Sequence, residues 1–152
     1  MLHSTLCYII CGQEWLLLYR NKKKDDVNEG KWIGIGGKLK EGETPEECNR
    51  REVFEETGIR LSRAVSHGTV HFRSDSWQED MHLFSAQLAE KPRLIACSEG
   101  TLAWIPKDKI KDLPLWEGDR YFLSEMTAGR TDIDMTLLYE GDTLVSVSNK
   151  GR

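Results

Sequence analysis

Residues 36–59 read GGKLKEGETPEECNRREVFEETGI, a double glycine, a short loop and then a helix crowded with carboxylates and basic side chains. Solubility does not require that density of charge in one turn and one helix. The helix limits are marked by their own chemistry. Thr44 is a preferred N-cap, and Glu47 three residues later completes a capping box. Pro45 suits the first helical position, and Gly58 suits the stop. The signals predict a helix over 45–57, with Cys48, Val53 and Phe54 as its apolar contacts.

Within that helix Glu52, Glu55 and Glu56 stand at i, i+3 and i+4, so three carboxylates share one face. Like charges at this spacing repel, and no lysine relieves them. A hard divalent cation converts the repulsion into binding, because Mg²⁺ takes oxygen ligands and keeps waters and substrate phosphates around it. A solvated acidic face is the competing reading, and the helix by itself leaves both open. The preceding segment favours the first. Gly36 and Gly37 let backbone groups approach a ligand closely, and Lys38 is placed to meet a phosphate. Arg51, beside Glu52, can pair with Glu43 and tie the loop to the helix.

Outward from this stretch, residues 4–11 and 15–20 are apolar and rich in strand formers, with Gly12-Gln13 as a hairpin turn. Residues 21–31 are polar and read as a mobile loop, and 32–38 as a short glycine-rich strand. Strands are expected at 64–73 and 81–88, joined by the polar loop SDSWQED, and at 102–105. A helical turn at 107–111 and a second helix at 119–128 precede a terminal hairpin of 136–139 and 143–147. Strands alternating with two helices, some in hairpins, predict α/β architecture with helices packed on a mixed sheet. The 152-residue length favours one domain spanning 1–152. The net charge of −4 provides no basic field for a nucleic acid polymer. A small anionic substrate remains compatible if a metal supplies the positive charge. No apolar run approaches the length of a membrane span, and the first residues read as a strand and not a signal peptide. Cys7, Cys11, Cys48 and Cys97 form no C-x-x-C pair, so reduced thiols in a cytoplasmic protein are expected, at least two of them buried.

Gly37, five residues, Glu43, seven residues and then Arg51-Glu52-Val53-Phe54-Glu55-Glu56-Thr57-Gly58-Ile59 resembles the Nudix box, G-x5-E-x7-R-E-U-x-E-E-x-G-U with U bulky and apolar, at all nine specified positions. The resemblance implies an α/β/α sandwich around a mixed sheet. It also implies metal-assisted hydrolysis of a nucleoside diphosphate linked to another group, with Mg²⁺, or Mn²⁺ in its place, as cofactor. By match to the motif, Glu52, Glu55, Glu56 and the Gly36 carbonyl are metal ligands, Arg51 orients Glu52, and Glu43 supports the loop. That chemistry suits a polyanionic substrate. Metal ions neutralise a pyrophosphate bridge and activate a water, while Lys38 helps stabilise the leaving phosphate.

The rest of the chain is similar to the MutT group, which hydrolyses oxidised purine nucleoside triphosphates such as 8-oxo-dGTP to the monophosphate and pyrophosphate, sanitising the nucleotide pool. In that group attack falls on the β-phosphorus. The entry strand GKWIGIGGK (30–38) lines the base pocket in the group, which places Ile33 in it. Animal members carry a base-binding Asn there, so that contact is absent here, and at least one of Ile33 and Ile35 belongs to the core. Glu99 matches a further loop glutamate of the group, a metal ligand or general base; the bland alternative is a solvated side chain. In LPLWEGDRYF (113–122) the W-x-x-D pattern resembles a segment whose Trp stacks on the purine and whose acid reads its edge. Trp116 and Asp119 are the residues concerned; the alternatives are a core Trp and a helix-capping Asp. Gly118 stands where the animal pattern has a second acid. Phe72 is a second pocket wall or plain core. Arg20, ahead of Lys22-Lys23-Lys24, is a candidate phosphate ligand, the lysines themselves being explained equally by a solvated loop. The four histidines lack metal spacing.

Three functions compete: the pool-sanitising hydrolase; a Nudix hydrolase of a dinucleotide, nucleotide sugar or canonical triphosphate; and a non-catalytic Nudix module that senses a nucleotide. The intact set of box carboxylates disfavours the third.

Overall fold

A computed structural model describes residues 1–23 and 25–151, so Lys24 of the basic loop lies outside the described residues. Among the described residues, nine strands and two α-helices follow in the order β1 (Leu2–Cys11), β2 (Glu14–Tyr19), β3 (Trp32–Ile33), β4 (Ile35–Lys38), α1 (Pro45–Thr57), β5 (Val65–Arg73), β6 (Gln78–Gln87), β7 (Thr101–Pro106), α2 (Glu117–Thr127), β8 (Ile133–Glu140) and β9 (Thr143–Asn149), with a 3-10 helix over Lys107–Asp112. The sheet order is β3-β2-β1-β6-β5-β8-β9, with β4 also paired to β1 and β7 to β2. The β1–β6 and β5–β8 pairs are parallel. The hairpins β1–β2 and β8–β9 are antiparallel, as their turn residues predict.

The two-residue strand period divides the apolar side chains between two faces. Leu6 and Tyr8 of β1, Trp15 and Leu17 of β2 and Leu83 of β6 pack on one side, where α2 contributes Phe122, Leu123 and Met126. Cys7 and Ile9, Leu16 and Leu18, and Phe84 and Ala86 pack on the other, under Val53 of α1. Central strands buried on both faces therefore read as unbroken apolar runs. β8 is buried on one face only: Ile133, Met135, Leu137 and Tyr139 point inward between exposed or half-buried neighbours. The result is a three-layered α/β/α arrangement around a mixed sheet.

α1 has the predicted limits. Thr44 Oγ1 accepts from the Glu47 N–H at 3.1 Å, and Glu47 Oε1 accepts from the Thr44 N–H at 2.9 Å. Gly58 ends the helix at φ 82°, a left-handed conformation that suits glycine, and donates to the Phe54 carbonyl. Several expected boundaries move, those of β6 and α2 among them. β6 begins at Gln78 rather than 81, because Asp80 is bonded to His71 and Arg73 of β5 across the sheet face. α2 begins at Glu117 rather than 119, so Asp119 is the third helical residue and not the cap. Trp116 occupies the N-cap with no side-chain capping bond. All four cysteines are free thiols, with Cys7, Cys48 and Cys97 buried. Among the described residues, no helix is long and apolar enough to cross a membrane.

Replacing the Thr44 hydroxyl removes one bond of the capping box. Thr44→Ala should lower folding stability by about 1 kcal/mol, seen as a lower urea midpoint at an unchanged m-value.

Candidate active site

Arg51 organises the carboxylates of the box. Its Nε and Nη2 donate to the two oxygens of Glu43 at 2.7 and 2.9 Å, a bidentate pair. Nη1 donates to Glu52 at 2.6 Å and to Glu55 at 3.0 Å, and Nη2 also reaches the Lys38 carbonyl at 3.1 Å. The Arg51 hydrogen bond, with help from the Lys40 N–H, holds the Glu43 carboxyl down to about 2. Loop and helix are thus joined by one planar cation, as the spacing predicts.

The double glycine brings β4 close to the β1 backbone and to a carboxylate of α1. A Cβ on Gly36 would stand 1.8 Å from the Thr5 carbonyl oxygen, and one on Gly37 would stand 2.5 Å from the Glu52 carboxyl carbon. Only glycine at 36 lets β4 lie this close to the β1 backbone, and glycine at 37 leaves the Glu52 carboxylate room where it stands.

Glu56 is the anomaly of the site. It is 5% exposed, and neither carboxylate oxygen has a hydrogen-bond partner. Burial, then repulsion from Glu52 and Glu99, pushes its carboxyl up to about 8, with Arg20 and the Gly36 backbone N–H pulling weakly the other way. A buried, unpartnered carboxyl facing two more carboxylates is costly unless something positive completes it. An oxygen-binding divalent cation fits these donors. Glu52, Glu55, Glu56, Glu99 and the Gly36 carbonyl are the groups that would hold one. Among the described residues, no three carboxylate, imidazole or thiol groups already converge as a ligand set, since Arg51 engages Glu52 and Glu55.

Glu99 does reach this end of the molecule. Its Oε1 accepts from Arg20 Nη2 at 3.0 Å, and Arg20 Nε donates to Asp26 at 2.7 Å. Arg20 is therefore not a free phosphate ligand. It is 8% exposed and its guanidinium is committed to two carboxylates. Lys38 is exposed, with Nζ 5.6 Å from the centre of the Trp77 ring.

A second group of side chains gathers on the α2 side of the sheet. Tyr139 stacks on Phe72 at 4.8 Å between ring centres and meets Trp116 edge-on at 5.7 Å. Trp116 Nε1 donates to Asn28 at 2.8 Å, and Lys31 lies 5.1 Å from the Trp116 ring centre. Asp119 is 8% exposed, and burial raises its carboxyl to about 7 against the pull of Arg120 and Lys31. Gly118 donates to the Tyr139 hydroxyl at 2.7 Å, and a Cβ at this position would stand 2.7 Å from both that oxygen and Leu137. The absence of a second acid at 118 is thus enforced by packing. Ile33 is a correction. It pairs with Leu18 across the β2–β3 ladder and packs on the α1 side, whereas Trp116 and Phe72 join the opposite cluster. The strand period sends its neighbour Trp32 to the aromatic face instead. Tyr139, Asn28 and Asp26 were not singled out by sequence. A strand aromatic and two polar loop residues carry no local pattern that would have marked them.

The NUDIX domain profile matches residues 1–126. The chain is 30% identical over 146 residues to the oxidized purine nucleoside triphosphate hydrolase of Mus musculus, covering 95% of this chain and 91% of that protein. It is 34% identical over 99 residues to the protein of the same name in Danio rerio, covering 64% and 63%. Among solved structures, a mutator MutT protein from Bacillus halodurans superposes with a TM-score of 0.87 at 25% identity, covering 99% of this chain and 98% of that one. The chain belongs to the Nudix family of hydrolases. Its similarity within the family runs to MutT proteins and to the hydrolases of oxidised purine nucleotides.

The buried Glu56 carboxyl makes stability depend on pH. Its folded value of about 8 lies above the ordinary 4.5. Its contribution is therefore full below about pH 4.5 and is lost as pH rises through about 8, a decline of a few kcal/mol in metal-free protein. Asp119 adds a similar decline that ends near pH 7. Urea titrations in EDTA should show wild type still losing stability above pH 7, while Glu56→Gln stays level there.

Proposed function

We propose that this protein hydrolyses oxidised purine nucleoside triphosphates such as 8-oxo-dGTP to the monophosphate and pyrophosphate, with Mg²⁺, or Mn²⁺ in its place, as cofactor. It would thereby sanitise the cytoplasmic nucleotide pool in support of DNA repair. The observation that carries this reading is Asp119, an enclosed carboxyl beside Trp116 whose affinity for a proton is raised to about 7. No hydrogen bond within the described residues reaches its oxygens. A neutral carboxylic acid offers one donor and one acceptor, the complement of the O6 and N1–H edge of a guanine-type base. Trp116 supplies a broad ring for stacking. The names of the mouse and zebrafish relatives point to an oxidised purine.

Glu52, Glu55, Glu56, Glu99 and the Gly36 carbonyl would hold the metal, and Arg51 positions Glu52 among them. A divalent cation held there would offset the charge of the polyphosphate and lower the barrier to deprotonating the attacking water. A water oxygen attacks the β-phosphorus, and its proton passes to one of Glu52, Glu56 or Glu99. The bridge to the α-phosphate breaks, and the nucleoside monophosphate departs from pyrophosphate. Lys38, freed from its contact with Trp77, meets the phosphate charge.

Glu56→Gln should abolish most turnover while the protein stays folded, because the helix caps and the Val53 contact are untouched. Near wild-type rates in that variant would remove Glu56 from the metal set.

Trp116→Ala should raise KM for purine substrates more than it lowers kcat. Pyrophosphate and phosphate release measured on 8-oxo-dGTP, dGTP, dATP, ADP-ribose, a nucleotide sugar and a diadenosine polyphosphate tests the substrate. The reading requires kcat/KM for 8-oxo-dGTP well above that for dGTP, with pyrophosphate as product. Preference for a diphosphate-bridged compound would discard the base-recognition part.

A further inference from the structure

The loop between β2 and β3 touches both ends of the proposed site, and it does so through one unbroken chain of polar contacts. Glu99 accepts from Arg20 Nη2 at 3.0 Å, and Arg20 Nε donates to Asp26 Oδ2 at 2.7 Å. The other Asp26 oxygen, Oδ1, accepts from the Asn28 backbone N–H at 3.2 Å. The Asn28 side-chain oxygen accepts from the Trp116 indole N–H at 2.8 Å. We propose that Arg20, Asp26 and Asn28 form a positioning relay that sets Glu99, at the metal end, and Trp116, at the base end, as a unit. The roles of those two ends rest on the function proposed above; the relay itself rests on the contacts.

Three features make the chain suited to transmit position. The Arg20 and Asp26 side chains are 9% and 7% exposed, so their ion pair is little screened and breaking it leaves a buried charge. The guanidinium is planar, with its donors in fixed directions, so a turn of Arg20 that follows Glu99 also moves Asp26. The base of the loop is closed by two backbone bonds, Arg20 N–H to the Lys31 carbonyl at 3.0 Å and Gly30 N–H to the Arg20 carbonyl at 2.9 Å. Displacement at Asp26 is therefore passed to the turn that carries Asn28. The relay joins the α1 side of the sheet, where Glu99 and Glu56 face each other electrostatically, to the α2 side, where Trp116 packs. Neither Asn28 nor Asp26 needs to touch substrate for this role.

The test uses the full chain labelled with ¹⁵N-tryptophan. The protein has five tryptophans, and Trp116→Phe identifies the Trp116 indole resonance by its loss. Glu99→Gln should shift that resonance in the otherwise wild-type protein and leave it in place when Asn28→Ala is also present. Asn28→Ala should speed exchange of the Trp116 indole proton. With whichever nucleotide the enzyme turns over, Asn28→Ala should raise KM about threefold to tenfold, the range expected for one lost hydrogen bond, with less change in kcat. Asn28→Asp keeps the accepting oxygen and should restore KM. Arg20→Lys, which loses the fork, should lower kcat and raise KM together. A Trp116 resonance indifferent to Glu99→Gln would overturn the relay, and so would an unrestored KM in Asn28→Asp. The resonance measurements need no substrate, so a wrong substrate assignment leaves them decisive.

Discussion

One guanidinium holds α1 and the loop before it in register. Arg51 has five N–H donors in a rigid plane and uses them on Glu43, Glu52, Glu55 and the Lys38 carbonyl. A lysine at this position has one freely rotating ammonium group and cannot fix three carboxylates and a carbonyl at once. With Arg51 in place, Glu52 is pressed against Gly37, and the strand bearing Gly36 and Gly37 lies close against β1. That closeness sets the β4 backbone directly beside the Glu52 carboxylate.

The same arrangement leaves Glu56 in an unfavourable position. Its carboxyl is buried, unpartnered and repelled by its neighbours, and the protein tolerates it by raising its proton affinity. A site that binds a cation benefits from such a group. Affinity for the metal is greater where the empty carboxylates repel, since the metal removes the repulsion as it binds. Stability of the metal-free fold is correspondingly lower at neutral pH, an exchange between stability and function that recurs at binding sites. Asp119 shows the second form of the same effect. It too is buried and raised, and the charges that act on it are the cations Arg120 and Lys31. One end of the candidate site gathers carboxylates, and at the other burial raises the proton affinity of a lone acid. The β2–β3 loop makes polar contacts toward both.

Much of this was legible in the order of residues. The limits of α1, its caps and the Arg51–Glu43 pairing depend on interactions within fifteen residues, so spacing alone reports them. The apolar runs of β1 and β2 and the turn residues of both hairpins are local as well, and the fold class followed from them. The nine matching positions of the box identified the family because their spacing reflects one helix face and one loop. What spacing could not report was the direction of side chains that depend on partners far along the chain. Ile33 was placed with the aromatic residues, yet it faces α1, because its pairing with Leu18 decides which way the strand is turned. Arg20 reads as a free cation until Glu99, seventy-nine residues later, closes on it. Gly118 reads as a missing acid until Leu137 and Tyr139 are seen to leave it no room. The sequence by itself determined the helix, its carboxylate face and the chemistry those carboxylates imply, since all three are set by contacts between near neighbours. Tertiary structure alone decided which of the remaining charges are buried and what they touch, since burial and long-range pairing come into being only when the sheet has closed.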